Sequence, residues 1–168
     1  MAKKRFILKK ERYAGAIVLG LNDALVELTA ALTGLTFALA DSRIIALTGI
    51  ITGFAAALSM AASEYLSVKE EMQQNKMKKP KTSAIYTGIT YFLTVFVLVL
   101  PYLFFTQVYT AFGVMLFISL CIIFWYTYRF STLKKISFWK RFREMAVLSF
   151  GIAFLSFIVG LLVKNFLI

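Results

Sequence analysis

Five long apolar runs separated by short polar segments leave this chain few ways to fold. They cover residues 13–40, 44–68, 83–105, 108–128 and 144–167. A helix needs about 20 apolar residues to cross a bilayer, and each run meets that length. Inside hydrocarbon, every backbone polar group must be satisfied within its own segment, and a helix does this. The expected fold class is therefore all-α, a polytopic membrane protein with five transmembrane helices. A single transmembrane domain would take in residues 1–168. Composition agrees: 60% of residues are hydrophobic and 16% are charged, where soluble domains carry about 25% charged residues.

The net charge of +11 could suggest nucleic acid, but the charges flank the apolar runs. They read as topology determinants and as attraction to anionic lipids. Six Lys/Arg precede the first run, five lie from Lys69 to Lys81, and six from Arg129 to Arg143. Only Arg43 and Lys164 fall on the other side. The bias predicts a cytoplasmic N-terminus and an outside C-terminus. Residues 1–12 are expected to form a basic surface arm, residues 69–82 a short cytosolic extension ended by Pro80, and residues 129–143 a basic cytosolic loop. Pro101 predicts a kink or terminal break in the third span. Asp41 or Ser42 can cap the second helix. The N-terminus lacks the small-residue cleavage site of a signal peptide.

There is no histidine, which removes imidazole ligands and histidine bases. The single cysteine, Cys121, lies in an apolar run and is expected to be a packed hydrophobe. No catalytic constellation remains, so an enzyme is not expected, and neither is a cofactor.

The chemistry concentrates between Gly20 and Glu71. Asp23 and Glu27 are spaced i, i+4, so they share a helix face; Met60 and Glu64 repeat the spacing on the second span. Asp23 lies about 15 Å inside the first span and Met60 about 12 Å inside the second, at matched depth. Glu64 lies nearer the cytoplasm, and Glu70 and Glu71 stand at the mouth. A carboxylate at hydrocarbon depth costs about 2.5–3.5 kcal/mol on insertion scales, so retained acids point to use. Carboxylates with a thioether suit ferrous iron or manganese better than magnesium or calcium. Carboxylates in a low-dielectric site also take up protons readily when no metal is bound, which is the physical basis of antiport. Gly49 and Gly53 form a small-residue step suited to close helix packing.

Two stretches carry a resemblance. Gly20-Leu21-Asn22-Asp23-Ala24-Leu25-Val26 resembles the opening motif of the vacuolar iron transporter family, which includes the yeast-type iron and manganese transporters. Ala57 through Lys69 is similar to its second-span signature. The resemblance implies a five-span homodimer with a metal pathway near the dimer interface. It also implies export of ferrous iron or a similar divalent metal from the cytosol against inward protons. Asp23 and Met60 match the family's pathway aspartate and methionine, and Glu71 a glutamate just after the second span. Eukaryotic members carry a long acidic domain between spans two and three; here Lys69 to Thr82 is short and basic, which makes this a short form. Some members have an acid two turns before the signature methionine where this chain has Thr52, and Glu27 stands as the substitute. Some short relatives are fused to a ferritin-like domain, so a ferritin-like partner could deliver metal.

The expected function is thus divalent metal export by proton antiport, with Asp23, Glu27, Met60, Glu64, Glu70 and Glu71 as metal ligands. The alternative is a non-transporting membrane anchor for a soluble metal-storage partner. A proton or monovalent-cation channel would use the same acids but not Met60. The expected location is a prokaryotic inner membrane.

Overall fold

In a computed structural model of the chain, residues 13–71, 79–134 and 137–167 are described. The basic arm at residues 1–12 and most of the segment after Glu71 lie outside them. Five helices follow in order: α1 Ala14–Leu39, α2 Ser42–Glu71, α3 Pro80–Phe104, α4 Val108–Lys134 and α5 Phe138–Leu167. All five are long and apolar enough to cross a membrane. We call the end of the bundle where α1 begins the basic end and the other the far end.

The turns explain the boundaries. Ala40 takes the left-handed conformation (φ 53°) that ends α1. Asp41 then caps α2, its Oδ1 accepting from Arg43 N at 2.8 Å and Ile44 N at 3.1 Å. Pro80 opens α3 at its first turn, where a missing N–H costs nothing, instead of merely stopping α2. Pro101 falls in the last turn of α3, and Phe105 N donates to its carbonyl at 2.9 Å.

The expected basic loop at 129–143 is mostly helix, since α4 runs on to Lys134 and α5 starts at Phe138. Aromatic packing extends both ends. Phe138 stacks on Phe142 with ring centroids 5.7 Å apart and meets Phe124 edge-on at 5.3 Å. The Arg141 guanidinium lies 4.2 Å over the Phe130 ring, a stacking that suits a planar cation. Cys121 is exposed on α4, not packed, because α4 turns Ala111, Met115, Ser119 and Ile123 inward instead.

Helix α1 is central and packs on all four other helices. Lipid tails are as apolar as leucine, so hydrophobicity does not drive helices together here; close van der Waals packing and hydrogen bonds do. The sequence supplies that closeness with glycine. Gly20 lies against the Thr87 backbone on α3, and Gly34 against Gly160 and Ser156 on α5. The Gly49 and Gly53 step is used within the chain: Gly49 seats Leu32 and Val99, and Gly53 seats Val95. Thr87 Oγ1 donates to Ala16 O at 3.1 Å, and Thr36 Oγ1 and Tyr102 OH share a bond of 2.7 Å. At the basic end Lys79 N donates to Tyr13 OH at 3.2 Å, tying the starts of α1 and α3.

A Cβ at Gly160 would collide with the Gly34 backbone, which cannot rotate away. Gly160→Ala is expected to destabilise the bundle by about 1–3 kcal/mol through overpacking. Gly113→Ala, where a Cβ meets nothing within 4 Å, is the control and should melt like wild type. Thermal melting followed by size-exclusion of the detergent-solubilised protein reads the difference.

Candidate metal pathway

The small residues that let α1 approach its neighbours also leave space beside it. A cleft of about 470 Å³ opens between α1, α2 and α5. Ala31, Gly34, Ala38, Gly53 and Ala56 keep it open, and Glu27, Tyr91, Thr48, Thr52 and Ser156 supply its polar atoms. Tyr91 is fully buried on α3, and its hydroxyl donates to Glu27 Oε2 at 2.6 Å. The close seating of Gly20 against α3 brings Tyr91 within reach. Glu27 is exposed on the single chain, so its carboxylate is held on one side and open on the other.

One turn toward the basic end, Asp23 lines a second cavity of about 390 Å³ with Asn22, Val26, Met145 and Leu148. The same cavity thus holds the Asn22 amide from α1 and the Met145 thioether from α5. Met145 is buried and lines the same cavity as Asp23. Sequence reasoning chose Met60 for the thioether and missed Met145, which is remote in sequence and carries no motif.

Met60 is half-buried and packs against the hydrophobic core. Its depth is as read: with Leu32 seated on Gly49, Asp23 and Met60 differ by about 3 Å along the bundle. No direct contact joins them. Glu64 accepts a 2.5 Å hydrogen bond from Ser83 Oγ on α3 near the basic end. Glu70 and Glu71 are exposed at the end of α2. The six predicted residues thus lie along a path and not in one cluster. Among the described residues of one chain, no group of three or more His, Cys, Asp or Glu side chains comes together.

The arrangement can hand a cation along: a solvated acidic mouth, a hydrogen-bonded Glu64, then Asp23 and Glu27 one turn apart on α1. Residues 14–81 match the VIT family. The matched segment contains all six candidate residues, while Ser83, Tyr91 and Met145 lie outside it. The resemblance read from the first two spans is borne out there, and the family suggests metal-ion transport. No curated protein matches the chain.

Tyr91 was legible in part. Thr87, Tyr91 and Thr94 recur at helical spacing in an apolar run, a polar stripe on a membrane helix. Tyr91→Phe keeps the ring and deletes the bond to Glu27. Loss of such an orienting partner costs about 10–100-fold in metal affinity, and the metal dependence of uptake rate should show that as a raised half-saturation concentration.

Proposed function

We propose that the chain is a homodimeric divalent-metal transporter that exports ferrous iron or manganese from the cytosol in exchange for protons, in a prokaryotic cell membrane. The observation that carries this is the pair Asp23 and Glu27, one helical turn apart on the central helix, each at the wall of its own cavity. Asp23 lies about 14 Å from the start of α1, well inside a hydrocarbon core. Two acids at that depth are expensive unless they serve an ion.

The basic end is the cytosolic side by the Lys/Arg bias. Glu70 and Glu71 attract metal at the mouth, and Glu64 receives it. Asp23 with Met145 and Asn22 offers a mixed oxygen and sulfur site, suited to a borderline metal. Glu27, steered by Tyr91, takes the metal toward the far end, where Thr48, Thr52 and Ser156 line the way. On release, the carboxylates rebind protons, which resets them with opposite charge movement. The homodimer reading rests on Glu27, which a single chain leaves open at the membrane interior; a second copy closes the cleft.

The test is metal uptake into proteoliposomes with an interior pH dye. Wild type should move ferrous iron or manganese with opposing protons. Asp23→Ala should reduce flux to background while retaining the oligomer. Wild-type flux in that variant would remove Asp23 from the pathway.

A further inference from the structure

Among the described residues, every buried side-chain nitrogen or oxygen without a hydrogen-bond partner lies on α1, α4 or α5. On α1 these are Asn22 Oδ1 and Thr29 Oγ1. On α4 they are Tyr126 OH, Thr127 Oγ1 and Ser131 Oγ, and on α5 Arg141 Nε and Ser149 Oγ. By contrast, the buried hydroxyls of α2 and α3 are paired: Ser42 with Thr106 O, Ser83 with Glu64, Thr87 with Ala16 O, and Thr94 with Thr90 O. The shortage is confined to these three helices among the described residues.

The unpartnered atoms follow one another in depth. Phe37 meets Phe112 edge-on with centroids 5.5 Å apart, which fixes the antiparallel register of α1 and α4. About two turns inward lie Thr29 and Ser119, the latter bonded to Leu116 O at 2.8 Å, and about two turns further Asn22 and Tyr126. The Tyr126 hydroxyl stands beside both the Arg141 guanidinium and Asn22, which joins α1, α4 and α5 at this level. Met145 shares a cavity with Asn22, so Ser149, about one turn on, falls between the levels of Asn22 and Thr29. Toward the far end the buried hydroxyls continue in Thr33, bonded to Thr29 O at 2.6 Å, and in Thr36 with Tyr102. Buried hydroxyls therefore occur at successive levels of α1.

Polar atoms sealed from solvent need partners, and clustered hydroxyls are where internal water binds, with about three bonds per molecule. Serine, threonine and tyrosine hydroxyls both donate and accept, so a mixed file of hydroxyls and waters passes protons without any side chain changing charge. The seam is apart from the cleft beside Glu27 and borders the Asp23 cavity at Asn22. Thr29 follows Glu27 by two residues, about 200° round the helix, and the two face different neighbours. Arg141 adds a fixed positive charge at the basic end, which repels a divalent cation twice as strongly as a monovalent one.

We propose that the α1/α4/α5 seam is a water-binding file that carries protons through the bundle beside the metal path, apart from the Glu27 cleft. Its proton role rests on the antiport reading; its hydration does not. Two readouts on the full chain keep them distinct. In lipid nanodiscs, hydroxyl radicals made from bound water should oxidise Tyr126 in wild type, and Thr127→Val/Ser149→Ala should lower that about fivefold by removing water partners. Wild-type Tyr126 that stays unoxidised overturns the water file. In proteoliposomes the same double variant should slow proton movement about tenfold, with equilibrium manganese binding unchanged. Thr127→Ser/Ser149→Thr keeps both hydroxyls and should move protons like wild type, which controls for folding. Wild-type proton movement in Thr127→Val/Ser149→Ala overturns the proton route. Wild-type metal flux without opposing protons would remove the antiport reading and the proton role with it, and Tyr126 oxidation would still decide whether the seam holds water.

Discussion

The contact on which the rest depends is the glycine-mediated seating of α1 between α3 and α5. Gly20 against the Thr87 backbone and Gly34 against Gly160 let helix backbones meet where a side chain would hold them apart. In a membrane this closeness is the main source of cohesion, because burial from lipid gives little. It has two consequences for the site. It brings Tyr91 up to Glu27, and it leaves the small residues Ala31, Gly34 and Ala38 as the floor of an open cleft. Packing and function share the same residues.

The polar groups inside the bundle divide into two kinds of solution. Glu64 and Glu27 each take a short hydrogen bond from a neighbouring helix, Ser83 at 2.5 Å and Tyr91 at 2.6 Å. These bonds orient a carboxylate while leaving its second oxygen for a cation. Tyr126, Thr127, Ser131 and Ser149 on α4 and α5 are treated differently, their hydroxyls being buried without partners.

Much of the fold was legible because its governing signals are local. Five apolar runs specify five helices, and Asp41 announced the start of α2 through its position after the first run. Helix ends were less legible. The runs near 129–143 are basic, yet Phe138, Trp139 and Phe142 pack as one aromatic group and extend the helices past the apolar core. The acids of the site were legible because charge in an apolar run is conspicuous. Their partners were not. Tyr91 and Ser83 are ordinary in an aromatic, hydroxyl-rich helix until α3 is placed against α1 and α2. Met145 shares a cavity with Asp23 only through the parallel packing of α1 and α5, a relation between residues far apart in the chain.

The central claim is that Asp23 and Glu27 hold a divalent metal inside the membrane. A crystal of the protein soaked in manganese, with anomalous data collected near the manganese absorption edge, tests it most directly. The account predicts an anomalous peak in direct coordination with a carboxylate oxygen of Asp23 or Glu27, lost in the double variant Asp23→Asn/Glu27→Gln. A peak confined to Glu70 and Glu71, with none along α1, would contradict it.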